Sequence, residues 1–412
     1  MKIKVSCLAT ICLAVFITMG VPAFAQESED NSLATAIMSG DAHVSLRYRY
    51  EFVDQDGFSE NANASTLRLR LNYQTGNWEN WSGFVEFDYV GELLFKDFNS
   101  LGGSSPDRNR YPVVADPKGT DLNQLYLDYS PSAQSKVRLG RQRIVLDNHR
   151  FVGDVGWRQN PQTFDGLGYT FTGWKNTQLF YSYTTAVHRI FGDDVPRGRH
   201  DSDNHLLNVK VKLADDWTVV PYYYYIDNDD VAAFSTATLG ARLTGNVAVG
   251  EYKFGLVAEF ATQSDAANNP VNYDAAYFNL GATWTLKNGL SLGLAWESLG
   301  GDQNVSGAAF RTPLATLHAF QGWADKFLAT PGAGIDDVFV TVKYKVKKWS
   351  FTGVYHDFSA ESGSADYGSE FDLAAGRSLG DRYGVLFKAA FYDADQHATD
   401  TSKFWIMLTA NY

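Results

Sequence analysis

The sequence predicts an all-β protein: a transmembrane antiparallel β-barrel of about eighteen strands, sixteen on the shorter count, with short periplasmic turns and long extracellular loops. Three observations predict it. The first is alternation. In residues 43–52 one face reads Val44, Leu46, Tyr48, Tyr50, Phe52 and the other Ser45, Arg47, Arg49, Glu51. The next segment sets Leu67, Leu69, Leu71 and Tyr73 against Arg68, Arg70 and Asn72. A period of two is the strand period. The second is that, past the first 25 residues, no run of 18 apolar residues occurs, which excludes a helical span.

The third observation is the sorting of connections. Segments begin near residues 43, 64, 81, 122, 136, 164, 177, 205, 217, 236, 251, 275, 290, 335, 349, 368, 382 and 403. Gaps after even-numbered segments are tight, as at Thr75-Gly76-Asn77, Ala214-Asp215-Asp216 and Lys287-Asn288-Gly289. Gaps after odd-numbered ones are long: 94–120, 144–162, 188–204 and 300–334. Outer-membrane barrels have short turns on one rim and long loops on the other. A soluble sandwich also alternates, but it needs a second sheet for its apolar faces and has no reason to sort loops by parity.

Taken in order, residues 1–25 read as a secretory signal peptide. Lys2 and Lys4 precede an apolar stretch, and Ala23-Phe24-Ala25 supplies the cleavage site. A membrane-anchoring first helix is the alternative. Cys7 and Cys12 both lie in this segment, so the mature chain has no cysteine and no disulfide. Residues 26–42 form a short periplasmic tail with no room for a plug domain, which argues against an energy-coupled receptor. Residues 43–412 form the barrel, and its final stretch, Phe404, Ile406, Leu408, Ala410, Tyr412, resembles the terminal signal read by the barrel assembly machinery. Aromatics reach 15% and crowd strand ends (Trp217, Trp284, Trp349), as interfacial girdles require.

Composition excludes other classes. The net charge of −12 becomes −14 without Lys2 and Lys4, which is unsuited to coating nucleic acid. Eight scattered histidines offer no catalytic constellation; the nearest approach, His356-Asp357 with Ser359, reads as a polar lumen or rim cluster, so no enzyme is expected. Asp227, Asp229 and Asp230, and separately Asp193 and Asp194, read as solvated acid rather than a Ca²⁺ site, and no cofactor or metal is expected.

The inner face carries the informative charge. Arg47, Arg49, Arg68, Arg70 and Arg138 fall there, as do Glu86, Asp88 and Asp128. Arg facing lipid would cost about 2–4 kcal/mol at midplane. Two readings stay open and are compatible: a salt-bridge lattice stiffening the wall, and a substrate-facing basic track.

Leu139-Gly-Arg-Gln-Arg143, Asp147-Asn-His-Arg-Phe-Val-Gly153 and Trp157-Arg-Gln-Asn-Pro-Gln-Thr-Phe-Asp-Gly166 resemble the alginate-export family of outer-membrane porins. So does residues 312–327, Thr-Pro-Leu-Ala-Thr-Leu-His-Ala-Phe-Gln-Gly-Trp-Ala-Asp-Lys-Phe. The resemblance implies a monomeric eighteen-stranded barrel in the bacterial outer membrane, in contact with lipid and lipopolysaccharide. It also implies an arginine-lined pore passing anionic polysaccharide or smaller anionic solutes. Carried over, Arg141 and Arg143 would be pore arginines. Strict alternation sends Arg141 toward lipid, so a bulge at Gly140 is expected to turn it inward. The expected function is a channel for anionic saccharides or similar solutes; the alternative is a substrate-specific uptake porin for small organic acids or oligosaccharides.

In the loop 300–334, Leu314, Leu317, His318, Trp323 and Phe327 recur mostly at near-helical spacing, with Thr312-Pro313 as start and Pro331-Gly332 as stop. An amphipathic helix is expected, packed either on the inner wall as a constriction or on neighbouring loops as a lid. In the inward case Asp325 and Lys326 sit beside the permeating solute.

Overall fold

A computed structural model describes residues 32–101, 108–250 and 252–412. The expected signal peptide lies outside the described residues. The described residues open on a short helix, α1 (Leu33–Met38), and continue as strands alone apart from single 3₁₀ turns. These are β1 (Asp41–Gln55), β2 (Ala62–Gln74), β3 (Trp81–Asp97), β4 (Gly119–Ser132), β5 (Ser135–Gln142) and β6 (Thr163–Phe171). Next come β7 (Thr177–His188), β8 (Arg199–Ala214), β9 (Trp217–Ile226), β10 (Thr236–Val249), β11 (Tyr252–Asp265) and β12 (Asp274–Thr285). The last six are β13 (Leu290–Leu299), β14 (Ile335–Val346), β15 (Trp349–Ser359), β16 (Asp366–Leu379), β17 (Tyr383–Ala394) and β18 (Thr401–Asn411).

The count of eighteen holds. The farthest of the expected starts is β8, which begins at Arg199 rather than near 205. Each strand pairs antiparallel with its sequence neighbours, and β1 also pairs with β18, from Ser45↔Asn411 to Gln55↔Thr401, so the sheet is closed. Closure removes the edges that a membrane would leave unsatisfied. Leu127, Leu139, Leu294 and Val340 stand exposed on the outer face. Residues in the alternate positions, such as Asp128, Arg138, Glu297 and Phe339, turn inward. No helix among the described residues is long and apolar enough to cross a membrane.

The apolar core lies inside the barrel, not between layers. Phe151 and Val152 from the loop 143–162 join Phe310, Leu314 and Phe327 from the loop 300–334 against inward Tyr222, Tyr277, Phe358 and Trp405. The two loops pair with each other: Val152 bridges Leu314, and the Gly153 N–H donates to the Leu314 carbonyl at 2.9 Å. A third loop, 98–118, adds Phe98, Tyr111 and Val114 to a smaller cluster with Val53 and Ala62. The loops 143–162 and 300–334 therefore fold inward.

One expectation about this segment fails. The helix over 312–331 is absent, and only Leu317–Ala319 makes a 3₁₀ turn. Gln321, Gly322 and Asp325 take positive φ (47°, 78° and 62°), which no α-helix accommodates. The apolar residues that mimic helical periodicity each find a separate partner on the concave wall instead.

Candidate functional site: a basic lumen crossed by two loops

The arginines of β1 and β2 point inward, and the loop 143–162 lies on them. Arg47 donates through Nε to Gln159 Oε1 and through Nη1 to the Gly156 carbonyl, both at 2.9 Å, and through Nη2 to the Arg158 carbonyl. Arg49 pairs with Asp116 at 2.9 Å, donates to the Trp157 carbonyl and stacks 4.2 Å over the Trp157 ring. These guanidiniums thus satisfy carbonyls that an irregular backbone leaves unpaired. Asp116 comes from the loop 98–118. Burial alone would push its carboxyl up, but Arg49 and Arg158 outweigh burial and hold it below the usual range.

The lattice continues along the wall. Arg70 forks onto Asp88 at 2.7 and 2.5 Å. Glu86 takes Arg143 at 2.5 Å, and Arg138 forks onto Asp128 at 2.7 and 2.8 Å. Arg141 differs. The register Leu127↔Leu139, Tyr126↔Gly140, Leu125↔Arg141 runs without a shift, so the expected bulge at Gly140 is absent. Gly140 instead takes φ +127°, where a Cβ would lie 2.2 Å from the Leu125 carbonyl oxygen. Arg141 then bridges the end of β5, donating to the Leu122 carbonyl on β4 (3.1 Å) and to Asp165 on β6 (2.8 Å). It stitches a wall where the backbone ladder stops.

Arg68 is the exception to pairing. It stands opposite Arg47 in the register and is 8% exposed, yet makes no hydrogen bond or ion pair with any described residue; its Nε is buried without a partner. Its charged neighbours are Arg47, Arg70 and Arg143 against Glu86 and Asp88.

From the loop 300–334, Leu314 is buried on Val152 and Phe327 packs 4.5 Å from Phe358. The Ala324 N–H donates to Glu370 on β16 at 2.7 Å and the Trp323 N–H to the same oxygen. Gly322 permits this approach, since a Cβ there would lie 2.4 Å from Glu370 Oε2. Asp325 binds His318 (2.7 Å), Lys403 (2.8 Å) and Arg158 (3.0 Å). His318 also takes the Lys388 ammonium at 2.7 Å and stacks on Trp157 at 4.7 Å; the same ammonium sits 3.7 Å from the Trp323 ring centre. Lys326 faces the mouth, its ammonium pushed down to about 8 by burial and by Lys403.

His318 makes the joint acid-sensitive. Burial pushes its imidazole down to about 3, Lys388 adding to the effect against the pull of Asp325. The neutral ring therefore donates from Nδ1 to Asp325 and accepts from Lys388 at Nε2. A folded value below the unfolded one of about 6.5 means that its contribution is present above that pH and lost as pH falls toward 3. Asp325, held well below the usual carboxylate range, loses its contribution only at still lower pH. Acid thus loosens the loop. Single channels should flicker more as pH falls from about 7 to about 4, and His318→Gln should flatten that response; a flat wild-type response would refute the acid-sensitive joint.

Several of these residues escaped sequence reasoning. Arg150, Arg158 and Gln159 lie in stretches that carry the family resemblance, which was their only signal. Asp116, in a loop, and Glu297, Glu370 and Lys388, on strands, had none, because a single charge does not announce its partner. His356 turns inward onto Asp337 at 2.9 Å, while exposed Asp357 occupies the alternate position and does not join it.

The loops divide the interior. Above them, a mouth cavity of about 490 Å³ sets five cations, Arg158, Arg189, Arg311, Lys326 and Lys403, against one carboxylate, Asp325, beside Phe58, Phe191 and Phe234. Below them lie cavities of about 810 and 670 Å³. Lys343 lines the larger and Lys210 the smaller, and neither forms an ion pair among the described residues.

Residues 41–305, more than half of the chain, match a protein family described as alginate export. Among solved structures, the chain is similar to Pseudomonas aeruginosa OccK11 (OpdR), with TM-score 0.68 and 16% identity over 92% of this chain and 97% of that one. It is similar to P. aeruginosa OccK9 (OpdG), with TM-score 0.71 and 13% identity over 91% and 99%. It is also similar to P. aeruginosa OpdK, crystallised with vanillate, with TM-score 0.69 and 14% identity over 90% and 98%. At these identities the likeness is one of fold. No curated protein matches the chain by sequence.

Proposed function

Since the chain belongs to the alginate-export family and is a porin of the bacterial outer membrane, we propose that it is an anion-selective channel whose solutes are small organic acids. Arg68 carries the reading. A buried guanidinium without a partner is costly, and it ceases to be so when a carboxylate arrives to take its fork. The mouth supports the same reading, since five cations favour an anion and adjacent phenylalanines favour one with an apolar body. OpdK, whose fold is similar, was crystallised with vanillate, an aromatic acid.

Anionic saccharide is the second reading. The larger lower cavity favours it, because Thr244, Asn246, Thr283, Ser291 and Thr341 offer a row of hydroxyls and an amide to a sugar.

Block of single-channel current separates the two. Benzoate should interrupt current more strongly than uronate trimers, and maltotriose should not interrupt it. Arg68→Ser should weaken the benzoate block by the worth of a charged hydrogen bond, about 1.5–3 kcal/mol or roughly ten- to hundredfold. Equal block in wild type and variant would remove Arg68 from the permeation path, and stronger block by uronate would favour the second reading.

A further inference from the structure

The six residues of α1 precede the barrel and carry no charge: Leu-Ala-Thr-Ala-Ile-Met. A helix this short does not hold itself in water; it exists here because it is tied down. The Ser32 hydroxyl accepts the Thr35 N–H at 3.2 Å as N-cap. The Ala36 carbonyl accepts the Gly76 N–H, in the turn between β2 and β3, at 2.8 Å. The Tyr73 hydroxyl donates to the Ile37 carbonyl and accepts the Gly40 N–H at 3.1 Å.

Tyr73 decides where the helix sits. It ends the outward series of β2, after Leu67, Leu69 and Leu71, at the periplasmic end of the strand. The helix therefore hangs from the lipid-facing side of the wall, at the periplasmic rim. At 100° per residue, Leu33, Ala34, Ile37 and Met38 share an arc of about 140°, and Ala36, the buried residue, lies outside it. Leu33, Ile37 and Met38 are 51%, 50% and 81% exposed on the protein. That arc is continuous with the outward apolar rim of Trp81, Leu127 and Tyr412.

From this we infer that α1 is an interfacial anchor. Its apolar arc enters the boundary between headgroups and acyl chains of the periplasm-facing phospholipid leaflet, as amphipathic interfacial helices do. There it pins the N-terminus to the outside of the barrel and sets the depth of the periplasmic rim. The occupant of the exposed arc is phospholipid because the surface it extends is already the lipid-facing band of the barrel.

The sequence has only two cysteines, Cys7 and Cys12, both ahead of α1, so in a protein lacking them single cysteines report cleanly. Leu33→Cys, Thr35→Cys, Ile37→Cys and Met38→Cys would be spin-labelled in the full barrel, in vesicles of phosphatidylethanolamine and phosphatidylglycerol, after heat-modifiable migration has shown each variant folded. Leu127→Cys on the lipid face and Asn288→Cys in a periplasmic turn serve as references. Labels at 33, 37 and 38 should collide with oxygen several-fold more than with a nickel chelate, as at 127. The label at 35 should resemble 288. Chelate-accessible labels at 33, 37 and 38 would place the arc in water, and labels shielded from both reagents would place it against a protein or a second copy. Either result overturns the anchor.

Discussion

Deleting residues 313–330 should raise single-channel conductance several-fold while the barrel still inserts. The segment lies across the interior and supplies Leu314, Phe327 and the Asp325 joint. The wall does not depend on it, because every strand is paired on both sides by backbone hydrogen bonds that the deletion leaves in place. Migration on unheated SDS gels should therefore persist. The cost falls on Phe358, Tyr392 and Trp405, whose apolar faces lose cover at about 25 cal/mol per Å², so the unfolding temperature should fall. A deletion channel with the parent's conductance would mean that solutes bypass the segment.

Arg150→Ala should unmoor both inward loops at once. Arg150 is 1% exposed and stands at their junction. Its Nε donates to Glu297 on β13 at 2.8 Å, its Nη2 to Gln321 at 3.1 Å and its Nη1 to Thr312 at 3.4 Å, with Phe320 4.7 Å beneath the guanidinium. One side chain thus ties the loop 143–162 to the wall and to the loop 300–334. Removing one partner of a buried pair costs about 3–5 kcal/mol, since Glu297 stays behind as an uncompensated charge. Tyr277 still donates to it at 2.7 Å, which places the expected loss at the low end of that range. In bilayers the variant should show frequent partial openings, and trypsin should cut the inward loops that it spares in wild type. Adding Glu297→Gln should restore part of the loss, because the stranded charge is then gone. Steady conductance and an uncut loop in Arg150→Ala would show that the apolar contacts alone hold the plug.

The strands were legible because one rule acts on every residue of the wall. Lipid outside and water inside force Val44, Leu46 and Tyr48 to one face and Ser45, Arg47 and Arg49 to the other, with no long-range information needed. Inward position was legible for the same reason, and so was the salt-bridge lattice of Arg70 with Asp88 and Arg138 with Asp128, which sit on adjacent strands. The interior of the loops was not. Leu314, Leu317, His318 and Trp323 follow a near-helical rhythm, yet the local backbone obeys Glu370 on β16 and the partners that Asp325 finds on β18 and the other loop. Arg141 misled for a related reason. Alternation asks only which face a residue takes, and at the end of a short strand a side chain lies in the sheet itself.

The reversal potential of the wild-type channel in a salt gradient tests the central claim most directly. With five cations and one carboxylate at the mouth, unpaired Lys210 and Lys343 below, and unpaired Arg68 on β2, chloride should pass more readily than potassium despite the acidic net charge of the whole chain. Arg68→Ser should move the reversal potential toward zero. A cation-selective wild-type channel, or one whose potential is indifferent to Arg68, would contradict the account.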